Sequence, residues 1–261
     1  MNRVHRSALA NGLRLAVVPI ADLRSTSVLL AVEAGQWFEP AGRPGIARLT
    51  AQTMLRGTKR RDAASWASAL DDLGAVARLD AGAHAAVFSA QCLGDDLGEL
   101  LALVGEAVRT PALADAEIEF VRGQTLAQLE KDERDTRAVS DRAWRQLVYP
   151  TGHPFHAPAI GDQAVVRSAT SEEIRAYHQG AIAPDGAVLV IAGGTTAEAA
   201  KTAAEGAFGD WPKRAKARDA NHPPVTLAST KRRVELVPDK TQSDVIIGWP
   251  GLPRTDPRFT A

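Results

Sequence analysis

The chain has 261 residues, enough for one large domain or two smaller ones around a full apolar core. Lysine plus arginine and aspartate plus glutamate both number 31, so no net charge draws it towards nucleic acid or an anionic membrane. The single cysteine, Cys92, excludes an intramolecular disulfide and any cysteine-rich zinc site.

The first eleven residues lack the apolar stretch of a signal peptide. Nowhere does the chain hold a run of about eighteen apolar residues. The expectation is a soluble, cytoplasmic protein with no membrane partner, the periplasm left open. Abundant Ala, Arg and Asp with scarce Lys suit a GC-rich bacterial genome.

Leu13, Leu15 and Val17 alternate with Arg14 and Ala16, predicting a half-buried strand entered through the Asn11-Gly12 turn. Val28, Leu30, Val32 and Ala34 predict a second strand, ending at Gly35. Pro44 and Gly45 then open a short helix, closed by Gly57, in which Ile46, Leu49 and Thr53 recur at helical spacing. Asp62 caps a further helix with Trp66, Leu70 and Leu73 on one face, stopped at Gly74. Two short strands follow, 75–81 and 84–92, with His84 opening the second as a structural residue and Cys92 as a small core residue.

Leu97, Leu100, Leu101, Val104 and Val108 form an amphipathic helix ended by Pro111, and residues 115–134 a long one. Trp144, Leu147 and Val148 close another helix before a turn that holds His153 and His156. Pro154 breaks the periodicity there and no carboxylate or cysteine accompanies the pair, so a structural turn is favoured over a metal site. Thr170 with Glu173 reads as a capping box, and residues 187–192 as a central strand. Thr195 with Glu198 reads as a second box for a helix packed through Ala199, Ala200, Ala203, Ala207 and Phe208. The Gly193-Gly194 pair lacks both the spacing and the Gly-Lys-Ser/Thr ending of a phosphate loop.

This order predicts an α+β fold. It is a two-layer sandwich with a mixed or antiparallel sheet and helices on one face. The domain spans 1–212, followed by a basic linker at 213–230. Two strands, 233–237 and 244–249, and a helix start at Asp256-Pro257 predict the beginning of a second, incomplete domain at 231–261.

Around the short helix the sequence reads Gly45-Ile46-Ala47-Arg48-Leu49-Thr50-Ala51-Gln52, then Gly57-Thr58. It is preceded by Leu9 to Leu13 around Asn11-Gly12, and by Gly35-Gln36-Trp37-Phe38-Glu39-Pro40. This frame resembles the inverted-zincin metallopeptidases of the insulinase, pitrilysin and mitochondrial-processing-peptidase family, M16. In active members it carries His-x-x-Glu-His, two metal ligands one turn apart and a general base between them. The resemblance covers nearly the whole chain. It implies the LuxS/MPP-like metallohydrolase type of fold and a second domain like the first.

At the matching positions this chain has Arg48, Ala51 and Gln52, and at the third-ligand position of the long helix Gln128. Arginine has no lone pair to offer, alanine cannot act as a base, and a neutral amide is a poor zinc ligand. Glu130 stands about 200° further round the helix and points elsewhere. Two readings of the helix stay open: Arg48 and Gln52 are simply its polar face, or Arg48 fills the metal position with its own charge. Either way the expectation is no catalytic residue, no cofactor and no metal in this chain, with zinc confined to a partner.

The leading functional expectation is a catalytically inactive subunit that pairs with an active zinc-bearing homologue to form a peptide-binding and degrading chamber. Its partners would be that homologue and peptide substrates, not nucleic acid. The alternatives are an active zinc metalloendopeptidase with unrecognised ligands and a purely structural core-type scaffold.

Overall fold

The computed structural model describes residues 4–214, 222, 225–252 and 256–259. Its strands are β1 (His5–Ala8), β2 (Arg14–Pro19), β3 (Ser25–Val32), β4 (Val76–Ala81), β5 (Ala86–Leu93) and β6 (Val188–Gly193). The helices are α1 (Ile46–Met54), α2 (Ala63–Asp72), α3 (Leu97–Arg109), α4 (Asp115–Asp132), α5 (Thr136–Val148), α6 (Gln163–Ser168), α7 (Ser171–Ala181) and α8 (Ala197–Phe208).

The strands form one sheet in the order β1-β2-β6-β3-β5-β4. Only β2 and β6 run parallel; every other pair is antiparallel, so the sheet is mixed. The apolar run read as a central strand is β6, flanked by β2 and β3. Period-two alternation sends Thr26, Val28, Leu30 and Val32 of β3 inward and leaves Ser25, Ser27 and Leu29 outward. Register then stacks the core: Leu30 lies opposite Phe88 on one side and Leu189 on the other, and all three are fully buried. Leu100, Leu101 and Val104 of α3 join the same core, with Ala200, Ala204 and Phe208 of α8. The two helices approach closely at Gly105, where a side chain would stand 2.9 Å from the Ala207 carbonyl oxygen.

Several local expectations shift. His84 precedes β5 instead of opening it, because the 82–85 turn keeps it out of the ladder. The cap of α8 is Thr196, whose side chain accepts from the Ala199 amide; Thr195 is one residue too early, so no box with Glu198 forms. Ala204 takes the buried place expected of Ala199, which is exposed. β1 and α6, both short and weakly patterned, have no counterpart in the sequence reading.

Residues 233–237 and 244–249 lie in no strand, and Asp256 starts a turn, not a helix. Their apolar side chains face outward, with Leu236 92 % and Ile247 82 % exposed. A strand needs a partner for its backbone groups, and none of the described residues offers one. Half of the linker expected at 213–230, residues 215–221 and 223–224, lies outside the described residues.

The start of α1 is held by a contact between two glycines. Gly45 (φ +104°) and Gly161 (φ +99°) both occupy the left-handed region, and a Cβ on Gly161 would stand 2.7 Å from the Pro44 carbonyl oxygen. Gly161→Ala is therefore expected to cost about 2 kcal/mol, from strained backbone and forced separation of α1 from the α6 turn. Urea unfolding measures it; an unchanged midpoint would show the contact to be unimportant.

Candidate functional site

The lead-in at 35–40 places α1 through a succession of specific contacts. Gly35 is obligatory because a Cβ there would collide with backbone atoms of His84 and Ala85 at 2.5 Å. The Gly35 carbonyl accepts from the Tyr177 hydroxyl of α7 at 3.0 Å. Gln36 is buried and donates to the Ala157 carbonyl at 2.7 Å, while the Trp37 amide donates to Ala83 at 2.8 Å. The chain then turns so that one carboxylate oxygen of Glu39 accepts from the amides of Gly45 (2.8 Å) and Ala47 (2.9 Å).

Glu39 is thus the N-terminal cap of a helix whose own cap residue, Gly45, has no side chain. Sequence reasoning noted the Glu-Pro pair but not this role, since the cap comes from six residues upstream. Burial pushes the Glu39 carboxyl up to about 7, against the two amides that pull it down.

Seven of the nine α1 residues are buried: Ile46, Ala47, Leu49, Thr50, Ala51, Thr53 and Met54. Thr50 and Thr53 satisfy their hydroxyls on the carbonyls one turn back, Ile46 and Leu49. Arg48 and Gln52 are only half-buried and, at i and i+4, share a face. Arg48 reaches β4, where its Nε lies 3.3 Å from Asp80 Oδ1. That pair is solvent-accessible and contributes well under about 1 kcal/mol. Ala51 is 2 % exposed and belongs to the core. Gln128, on the exposed face of α4, donates to Asp132 at 2.6 Å along its own helix.

α1 packs against α4, α7 and β4. The donor set does not suit zinc. A guanidinium, a methyl group and two neutral amides offer neither an anionic ligand nor an imidazole. Among the described residues no group of three or more His, Cys, Asp or Glu side chains is placed to hold a metal ion.

His153 and His156 are both engaged in their turn. His153 Nδ1 accepts from the Phe155 amide at 3.1 Å, and His156 Nδ1 meets the Tyr149 carbonyl at 2.8 Å. Cys92 is buried on β5 and burial pushes its thiol up to about 11, leaving it inert.

A buried arginine that sequence reading missed braces this region. Arg122 of α4 is 8 % exposed. Its guanidinium donates to the carbonyls of Val166 and, at 2.7 Å, Ala169, at the end of α6. It also pairs with the exposed Glu119 one turn back, at 3.0 Å. At sequence level an arginine in a polar helix carries no signal that its head is buried.

The family model described as Insulinase (Peptidase family M16) matches residues 17–154. The one described as Peptidase M16 inactive domain matches 168–261. An uncharacterized zinc protease of Streptomyces coelicolor is 24 % identical over 98 % of this chain and 56 % of its own length. The bovine mitochondrial-processing peptidase subunit beta is 23 % identical over 87 % of this chain and 46 % of its own. The chain thus spans about half the length of the curated relatives it matches. Two solved structures share the fold. A protease from Helicobacter pylori superposes with a TM-score of 0.78 at 18 % identity, covering 86 % of this chain and 54 % of that one. A peptidase M16 inactive domain from Pseudomonas fluorescens superposes at 0.73 with 24 % identity, covering 85 % and 55 %. Among the described residues no helix is long and apolar enough to cross a membrane.

Proposed function

The chain belongs to peptidase family M16, the insulinase family, and from that premise we propose that it is a catalytically silent subunit which binds no zinc. It would act by pairing with an active, zinc-bearing homologue and shaping a chamber around an extended peptide. The observation that carries this reading is the state of α1. The frame is intact and tightly built, from the Glu39 cap to the Gly45–Gly161 contact, yet its solvent-facing positions hold Arg48 and Gln52.

What the chain can still offer a peptide is sheet edge. Among the described residues β4 pairs only with β5, and β1 only with β2, so each presents one unpaired edge in the sheet. An extended segment can gain main-chain hydrogen bonds from such an edge with no catalytic residue nearby. Residues 231–261 would begin the second domain that completes the chamber. Subunit beta of the mitochondrial-processing peptidase is by its name one subunit of an enzyme, which accords with pairing.

Two measurements test the reading. Elemental analysis after dialysis against micromolar zinc should give far less than one equivalent, and one tight equivalent lost on Gln52→Ala would overturn it. In the full-length protein, an unstructured peptide should be left intact by this subunit alone. Mixing should speed cleavage by the intact-motif homologue about tenfold over that homologue alone. No gain and no co-purification would instead favour a structural scaffold. The name of the Streptomyces coelicolor relative favours a zinc peptidase as the second reading, and the same zinc measurement decides it.

A further inference from the structure

Beside the lead-in to α1, six rings gather where four separated stretches of chain meet. Trp37 is their hub. His222 stands edge-on to it with centroids 4.3 Å apart, Phe155 lies at 5.2 Å, His84 at 5.4 Å and His153 at 6.0 Å. Tyr149 stacks on His153 at 4.7 Å with 19° between planes. His222 also meets the Trp37 carbonyl through Nε2 at 3.0 Å. It thereby ties the chain at His222 to the turn that places α1.

The tautomers follow from the partners. A carbonyl can only accept, so His222 carries its proton on Nε2 and His156 carries one on Nδ1, where it meets Tyr149. In both, the ring nitrogen that meets the carbonyl is a donor and needs no lone pair. His153 is different: its Nδ1 accepts from the Phe155 amide and must keep a lone pair. That occupied lone pair also argues against His153 as a metal ligand. A second proton would set N–H against N–H at the start of the 154–156 turn. It would also place positive charge within a ring stack that includes His222, at 5.9 Å between centroids.

We infer that this cluster is an acid-released latch, in which protonation of His153 opens the ring stack and frees the chain at His222 from Trp37. Among the described residues, the titratable groups around His153 are His156 on its own turn, His84 before β5, Tyr149 after α5, and His222. Burial, and after it the like charges of His222 and His156, hold its pKa below the usual imidazole value. Neutral His153 therefore contributes stability that is present above about pH 6.5 and is lost as pH falls through its lowered folded-state pKa. The inference is independent of the proposed pairing, since it concerns only the contact between His222 and Trp37 within this chain.

The test is hydrogen exchange at pH 7.5 and 5.5, corrected for the intrinsic pH dependence of the amides, on the whole chain. In the native sequence, protection of the 35–39 segment should fall about fivefold or more at the lower pH, with β3 and β6 unchanged. His153→Asn supplies an amide oxygen to the same backbone donor but does not titrate, and should abolish the response. An unaltered response in that variant, no response in the native chain, or equal loosening of β3 and β6 would each overturn the latch. Should the variant not fold, the His153 ring resonances of the native chain give the answer. Their titration midpoint must lie below 6.5 and coincide with the opening, and a midpoint that does not coincide rejects it.

Discussion

Replacing Glu39 by Gln should make this protein more stable at pH 8 and leave it nearly unchanged at pH 4.5. The carboxyl caps α1 through the Gly45 and Ala47 amides, which favour its charge, but burial wins and raises its pKa from 4.5 to about 7. A carboxyl whose folded-state pKa is raised binds its proton more tightly in the folded chain. Its favourable contribution is complete below pH 4.5 and is lost as pH rises through 7. The shift corresponds to about 3 kcal/mol across that window.

Gln keeps a neutral oxygen for the same two amides and removes the titration. The difference between the two urea-unfolding stabilities should therefore grow from pH 4.5 to 8 and then level off. Glu39→Ala is the control: it orphans both amides and should cost about 1 kcal/mol even at pH 4.5. Parallel pH profiles for the native chain and Glu39→Gln would show that the carboxyl is not desolvated.

Arg122→Met should be the most damaging substitution of a charged residue here, at about 3 kcal/mol. Its loss strands the carbonyls of Val166 and Ala169 in the interior, and with them the end of α6 next to the Gly45–Gly161 contact. The ion pair with Glu119 is not the reason, because that carboxylate is 63 % exposed. Glu119→Gln should accordingly cost less than about 1 kcal/mol. Comparable losses in the two variants would mean that the pair, not the carbonyls, holds the guanidinium.

Much of the fold was legible in the sequence because its signals are local. Alternation at 28, 30 and 32 and at 86, 88 and 90 marked β3 and β5, whose inner residues are buried as that pattern requires. The cap at Asp62 and the Thr170–Glu173 box sit where their residue types demand, because each bond closes within one turn. The unbroken apolar run of β6 announced a strand covered on both edges. The residue types at 48, 51, 52 and 128 likewise settle, by side-chain chemistry alone, which donor atoms those positions can and cannot offer.

What only the tertiary structure decided are the contacts between residues far apart in the chain. Neither the cap of α1 from Glu39, nor the burial of Arg122 against the α6 carbonyls, nor the pairing of Arg48 with Asp80 has a signal in composition or periodicity. Each depends on where a different element has been packed. The gathering of His84, His153 and His222 around Trp37 is of the same kind. The tail shows the limit from the other side. Residues 233–237 and 244–249 have the side chains of strands, but strand formation is a property of a pair, because backbone donors and acceptors need partners on a neighbouring chain segment. Local sequence supplies the propensity for a strand, and only a neighbouring strand can realise it.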